Sequence, residues 1–294
     1  MSHGKQDLAV LNTLTVESFV HVLGGVFEHA PWVAEAAAAE RPFASVDDLH
    51  AAMFGQILAL PKATKLAFLR GHPELAGEHA RRSTLAAHSA SEQSSLGLDQ
   101  PDPAIAEAFD VLNAEYRERF GFPFIICVRR HTLGSIITQF RARLLRDAET
   151  EQTQALTEIG HITRLRLAGL VEGTGGDPLS GWLSTHVLDT SLGRPAAAMA
   201  LELVALGEAG EQVLGRFVTN EDGRTNSPIL PKGEMRIGLY ELRFDVAAYF
   251  ASMGAQTPEF LGIVPIRFRI TDPQSHYHVP LLVSPGGYST YRGS

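Results

Sequence analysis

The residues best suited to chemistry fall into two groups. In the C-terminal part, His186 lies in LSTHVLD, Arg224 follows an Asp-Gly turn, and His276 and His278 flank Tyr277 in HYHVPLLVSP. Residues two apart in a strand share a face, so His276 and His278 point to one side and Tyr277 to the other. Imidazole titrates near neutrality and can act as a general base. Neutral imidazole is also a zinc ligand, and a strand histidine is more often a hydrogen-bonded surface group. Spacing alone leaves all three readings open.

In the N-terminal part, nine of the twelve histidines precede residue 176. His21, His29, His50, His79 and His161 sit in helical stretches and read as solvated or packed groups. His72 differs, because Pro73 in LRGHPEL breaks the helix and keeps His72 out of the αR region. A histidine held at such a break can be aimed into a cleft; an exposed loop histidine is the competing reading. Glu92 follows Ser89 and Ser91 in SASEQSS, where an acid near a helix start can also serve as a cap.

The elements that must position these groups change type along the chain. Phe19, Val22, Leu23, Val26 and Phe27 recur at helical spacing. Ser45 reads as the N-cap of a helix carrying Leu49, Met53 and Ile57 inward, and Pro103 opens a long amphipathic helix. Seven or eight helices are expected over residues 7–171, with GFPFIICV as a buried extended segment. EGTGGDPLSG reads as a linker over 172–181. Beyond it, LSTHVLDT, AAMALELVAL, QVLGRFVT, GEMRIGLYELRFD, VPIRFRI and YHVPLLVS are short and partly alternating. Residues 182–294 therefore read as a β-sandwich of seven or eight strands with one short helix at VAAYFASMG. The fold class expected is an all-α N-terminal domain followed by an all-β C-terminal domain.

Composition excludes several functions. The 294 residues carry 33 acids and 25 bases, a net charge of −8, without the basic footprint of a nucleic-acid binder. The single cysteine, Cys127, rules out an internal disulfide framework and a multi-cysteine zinc site. No run of 18 apolar residues is present, and MSHGKQDLAV lacks a signal-peptide core. A cytoplasmic protein with no membrane partner is expected.

LSTHVLDTSLGRPA, TNEDGRT and the terminal HYHVPLLVSPGGYSTYRGS closely resemble the transthyretin-related 5-hydroxyisourate hydrolase family. The resemblance implies a transthyretin-like sandwich with a catalytic set of His186, Arg224, His278 and Ser294, with Tyr291 binding substrate nearby. His276 matches the motif without an assigned role. The chemistry implied is hydrolysis of a lactam ring, with histidine as base and arginine holding the developing oxyanion. The family also implies a tetramer with sites between subunits, and no metal.

GHPEL, S-x-x-EQ, Y-x-x-x-FGFPFIICV and EI-x-x-I-x-x-LRL, in that order, resemble the family of 2-oxo-4-hydroxy-4-carboxy-5-ureidoimidazoline (OHCU) decarboxylases. This resemblance implies His72 and Glu92 as catalytic, and Ser89, Pro73 and Arg166 as substrate-binding. Arg164 lies two residues from Arg166 on another helix face; the match to LRL favours Arg166. No cofactor is implied. Dimer contacts through this half are a further expectation.

Together the resemblances imply a bifunctional enzyme of urate degradation acting on small purine-derived substrates. Its C-terminal domain (182–294) would hydrolyse 5-hydroxyisourate to OHCU, and its N-terminal domain (7–171) would decarboxylate OHCU to (S)-allantoin. A transthyretin-like ligand-binding protein with one or no active domain is the alternative.

Overall fold

Helix starts follow the side chains that precede them. In the computed structural model, which describes residues 4–77, 87–175, 177–208, 210–254 and 260–293, the N-terminal part contains α1 (Leu8–Thr13), α2 (Val16–Leu23), α3 (Trp32–Ala37), α4 (Val46–Leu58), α5 (Lys62–Arg70), α6 (Ala87–Ser94), α7 (Pro103–Phe120), α8 (Leu133–Leu144) and α9 (Ala148–Leu170). The Ser45 hydroxyl accepts from the Asp48 amide and starts α4. Asp102 caps α7 with Pro103 in its first turn, and Asp147 accepts from two amides at the start of α9. Each such cap satisfies an amide that the helix leaves unpaired. The helical reading of the sequence holds in type, although nine α-helices rather than seven or eight are found over residues 7–171 among the described residues. It missed a parallel ribbon of β1 (Gln6–Asp7) with β2 (Val171–Glu172), because two-residue strands show no alternation.

By contacts the chain divides into two compact units, one of Met1–Arg129 with Thr138–Pro178, the other of Arg130–Ile137 with Leu179–Ser294. In the first unit the aromatic core gathers on Tyr116, whose ring meets Phe120, Phe122, Phe124 and Phe140. Phe124 and Phe140 stack at 3.8 Å between centroids. The segment read as buried, residues 122–127, is buried throughout and lies outside the helices and strands. Its polar groups need partners inside the protein. Arg143 Nη1 donates to the Ile125 carbonyl at 2.8 Å, and the Cys127 amide donates to Glu158 at 2.9 Å. Arg143 is itself held by the fully buried Glu151, which also accepts from the Tyr116 hydroxyl. Part of the stretch read as linker is also anchored: Thr174 accepts from the Val46 amide and donates to the Ala44 carbonyl.

In the second unit, two four-stranded sheets close on one apolar core. One sheet has the order β12-β11-β4-β5, from β4 (Val187–Asp189), β5 (Arg194–Pro195), β11 (Leu281–Ser284) and β12 (Gly287–Thr290). The other has the order β7-β6-β8-β9, from β6 (Ala200–Gly207), β7 (Gly210–Val218), β8 (Gly238–Asp245) and β9 (Ile263–Ile270). Val187, Leu281 and Val283 of the first face Leu201, Leu203, Leu242 and Val264 of the second in one buried cluster. A short parallel pair, β3 (Leu183–Ser184) with β10 (Tyr277–His278), completes the set. The described strands of this unit number ten rather than seven or eight. The extra ones arise where a sequence run is split, as in LSTHVLD, or is too short to alternate. The expected short helix is α10 (Val246–Ser252).

Glu151 is the buried acid that pairs with the Arg143 guanidinium holding the 122–127 segment. Glu151→Gln leaves the Arg143 charge uncompensated and is expected to destabilise the helical unit by about 3–5 kcal/mol. Urea denaturation followed by helical circular dichroism measures this; a loss under about 1 kcal/mol would show that the pair does not carry the segment.

Candidate active sites

The first site is a pocket in the helical unit. His72 sits two residues past the end of α5, in a turn where its amide donates to the Leu69 carbonyl. Pro73 follows it. Ser89 and Glu92 lie three apart on α6, and therefore on one face. Arg166 reaches them from α9. Together with Glu28, Leu75, Gln93, Phe124, Ile125, Ile126 and Ile159, these five residues line one cavity.

Arg166 organises the cavity. Its Nε and Nη2 grip both oxygens of Glu92 at 2.9 and 2.8 Å. Nη1 donates to Glu28 at 3.0 Å and to the Val26 carbonyl at 3.3 Å, and Nη2 also donates to Ser89 at 3.1 Å. A guanidinium has five N–H groups, and each has an acceptor in this arrangement. Burial opposes the Arg166 charge, but Glu92 and Glu28 outweigh it and raise its pKa. Burial likewise opposes ionisation of Glu28, yet Arg166 and the Ser89 hydroxyl hold its pKa below the usual value. The Ser89 proton is used on Glu28 at 2.9 Å. Arg164, by contrast, pairs with Asp47 at 2.7 Å, so of the two arginines the structure brings Arg166 into the pocket.

The His72 tautomer follows from its partner. Nδ1 lies 3.1 Å from the Phe68 carbonyl, which can only accept, so Nδ1 carries the proton and Nε2 keeps its lone pair. Desolvation pulls the His72 pKa down from its usual 6.5 to about 4; the Phe68 bond and Glu28 oppose this, and Arg166 adds to it. His72 is thus a neutral imidazole at neutral pH. His50, packed against Thr163 on the same unit, is also pulled to about 4 by burial, so the shift alone does not mark the site.

The second site lies on the strands of the other unit. β3 and β10 pair with Leu183 opposite Tyr277 and Ser184 opposite His278. Trp182, Ser184 and His186 are spaced two apart along the chain through β3, and His276 and His278 along the chain entering β10. As the i, i+2 spacing predicts, His276 and His278 share a side: the Ser184 hydroxyl bonds both, at 2.9 Å to His276 Nε2 and 2.9 Å to His278 Nδ1. Tyr277 points the other way into the core and accepts from the Thr271 and Asp272 amides. Trp182 stacks on His276 at 4.3 Å.

Two glycines allow close approach at this site. Gly223 has φ +69°, and a Cβ there would lie 2.3 Å from the Val187 carbonyl and 3.2 Å from the His186 ring. The turn it makes is closed by Asn220, whose side chain accepts from the Asp222 and Arg224 amides, and it leaves Arg224 exposed. Gly293 bridges to His278 through its amide, where a Cβ would fall 2.5 Å from the His278 ring. Burial first, then the Arg224 charge, lowers the pKa of both His186 and His278. Burial alone lowers His276. Tyr291 is 60% exposed, and no hydrogen bond or ring contact ties it to the histidines among the described residues. Ser294 lies outside the described residues.

Sequence reading missed Glu28, Gln93, Trp182 and Ser184. Trp182 and Ser184 carried a usable signal, the same alternation that marks His186. Glu28 carried none, because it meets Arg166 across 138 residues. Among the described residues no group of three or more His, Cys, Asp or Glu is arranged to hold a metal ion, and no helix is long and apolar enough to cross a membrane.

The chain thus carries two candidate sites, a desolvated pocket of His72, Glu92 and Arg166 on a helical scaffold and a group of histidines near the Arg224 charge on a β-sandwich. Residues 12–168 match the OHCU decarboxylase family, and residues 183–293 match the HIUase/Transthyretin family. A 5-hydroxyisourate hydrolase of Halalkalibacterium halodurans is 53% identical over 119 residues, covering 40% of this chain and 100% of that protein. A 2-oxo-4-hydroxy-4-carboxy-5-ureidoimidazoline decarboxylase of Amia calva is 39% identical over 166 residues, covering 56% and 95%. A crystal structure of (S)-allantoin synthase is 34% identical, spans 98% of this chain and 100% of its own, and has a TM-score of 0.51. The chain belongs to the OHCU decarboxylase family and, through its C-terminal part, to the HIUase/transthyretin family.

The depressed His72 pKa has a definite sign. A histidine whose folded pKa lies below its unfolded value of about 6.5 contributes stability that is full above pH 6.5 and declines as pH falls toward 4. His72 is expected to titrate near pH 4 in histidine-selective NMR, and Glu28→Gln to move it lower still by removing a charge that raises it. A midpoint near 6.5 would contradict the desolvated pocket.

Proposed function

We propose that the chain converts 5-hydroxyisourate to (S)-allantoin in two steps, the C-terminal domain (182–294) acting first and the N-terminal domain (7–171) second, joined through 172–181. The observation that carries this reading is that the family motifs of the helical half converge on one cavity: His72, Pro73, Ser89, Glu92 and Arg166 line it together.

In the second step the substrate carbon bears a carboxylate and a hydroxyl beside a C=N bond. The carbon–carboxylate bond breaks, its electron pair enters the ring, and CO₂ leaves. The hydroxyl then loses its proton to become a carbonyl, and the neighbouring carbon gains one. His72 Nε2 holds a lone pair at neutral pH and serves as the base and then the acid. Glu92, held by Arg166 in the same cavity, shares in that proton handling. With its donors engaged, Arg166 acts first by fixing Glu92, Glu28 and Ser89; contact with substrate oxygens requires one acceptor to give way. Pro73 and Ser89 complete the substrate wall.

In the first step His278 and His186, both neutral at neutral pH, supply the base that activates water. Arg224 stabilises the oxyanion, with Ser294 and Tyr291 toward the substrate. No cofactor takes part. The C-terminal cluster is half-buried with Arg224 exposed, and self-association would cover it. A tetramer through the C-terminal domain, with dimer contacts through the N-terminal one, is the finer form of this proposal, in a cytoplasmic setting. Light scattering is expected to give a mass several times 31.9 kDa; a monomer in solution would overturn the assembly.

The deciding experiment generates 5-hydroxyisourate in place with urate oxidase and follows circular dichroism of the product. Optically active allantoin is expected, and racemic product at the uncatalysed rate would overturn the reading. His72→Ala is expected to abolish the second step by about 10²-fold or more while leaving the first, so OHCU accumulates. Full-rate formation of (S)-allantoin by that variant would remove His72 from the mechanism.

A further inference from the structure

We propose that Ser184 couples His276 and His278 into one proton relay, which gives His276 a part in the hydrolytic step. The inference rests on the hydrolase reading of the C-terminal domain. Its basis is stoichiometry. One hydroxyl bonds two imidazole nitrogens at 2.9 Å each. A hydroxyl has one proton to donate. It must therefore donate to one ring and accept from the other, and because it meets His276 at Nε2 but His278 at Nδ1, the two neutral histidines hold the same tautomer and must switch together.

Two arrangements are allowed. In the first, His278 Nδ1–H donates to Ser184 and the Ser184 proton points to His276 Nε2, leaving His278 Nε2 with a lone pair. In the second every bond is reversed, and His278 Nε2 carries a proton. The first is a base at Nε2 and the second an acid at Nε2. Among the described residues neither ring makes another hydrogen bond that would choose between them, so both states share the same frame. Trp182 fixes the plane of His276 by stacking at 4.3 Å, and the Gly293 backbone packs on the His278 ring.

The relay balances. Water gives a proton to His278 Nε2 as its oxygen bonds the substrate carbonyl carbon. The Nδ1 proton passes to Ser184, and the Ser184 proton passes to His276 Nε2. His278 ends neutral, Ser184 is again a hydroxyl, and His276 holds the positive charge. The same path run backwards protonates the ring nitrogen as the carbon–nitrogen bond breaks. Charge favours this placement. Arg224 acts on His278 and His186, and His186 also acts on His278, whereas neither is among the groups acting on His276. The further cations nearby, Lys232 and Arg292, lie over the Trp182 and Tyr277 rings. His276 is thus the imidazole of the pair set apart from the Arg224 charge.

Ser184 and His276 are positioning and relay residues, so their test must separate relay from structure. Ser184→Ala is expected to lower kcat for 5-hydroxyisourate hydrolysis about tenfold or more, with KM within about twofold. Ser184→Thr, which keeps the hydroxyl, should restore most of it. In mixed H₂O and D₂O the wild-type rate should curve with isotope content, and the Ser184→Ala rate should be linear. Nitrogen NMR should show the same tautomer for His276 and His278 in the resting protein, a match lost in Ser184→Ala. His276→Asn tests the far end should Ser184→Ala fail to fold. The double variant should lose no more than either single one, as members of one unit do. Wild-type kcat in both single variants, or additive losses, would overturn the relay. Absence of hydrolysis by the wild-type protein would instead overturn the functional reading, and the NMR arm would still decide the tautomers.

Discussion

A single buried guanidinium holds the helical site together. Arg166 is 7% exposed, and its acceptors come from the segment after α2, from α6, and from a main-chain carbonyl. No short-range propensity brings these segments together; they are 74 to 140 residues from Arg166 in sequence. A charge taken out of water is tolerated only when its hydrogen-bonding capacity is filled. That requirement, applied to five N–H groups, fixes where Glu28, Ser89 and Glu92 stand. It also sets the electrostatics, since two carboxyl groups face one guanidinium. Among the described residues that line the cavity, the Arg166 charge is already matched by these carboxyl groups, so a substrate carboxylate beside it would be better accommodated as departing CO₂ than as a resident ion.

The strand site obeys a different constraint. Its groups are placed by backbone register, not by a buried charge. Parallel pairing of β3 with β10 puts Ser184 opposite His278, and alternation does the rest. A one-residue slip would send every one of these side chains to the other face. Tyr277 opposes such a slip because it is buried in the core, with its hydroxyl bonded to Thr271 and Asp272 amides. The residue that looks least chemical in HYH therefore holds the two histidines in position.

These constraints explain what could be read in advance. Helices with side-chain caps and strands long enough to alternate were legible, and so were His72 before a proline and the H-x-H pair. The motifs of the two families pointed to the remaining candidate residues, of which Pro73, Ser89, Glu92 and Arg166 line one cavity with His72. Glu28 was not legible, since an acid in FEHAPW resembles any solvated charge until Arg166 arrives from α9. The two-residue strands were hidden because a period cannot be seen in one repeat. Ser184 was visible as a residue in phase with His186, but its meaning depended on a register that only the fold supplies.

Both sites keep imidazole neutral, yet they fix its tautomer in opposite ways. His72 is pinned by a carbonyl, which can only accept. Its Nδ1 proton is therefore held in place, and in the proposed reaction proton exchange with substrate would pass through Nε2. Taking and returning a proton at one atom confines delivery to one face of the planar intermediate. That suits a reaction whose product is a single enantiomer. His278 is pinned by a hydroxyl, which can donate or accept, so its tautomer can invert without moving a heavy atom. Amide hydrolysis needs this reversal, because the group that deprotonates water must later protonate the leaving nitrogen. The partner atom on Nδ1, a carbonyl in one unit and a hydroxyl in the other, thus fits each imidazole to the role proposed for it.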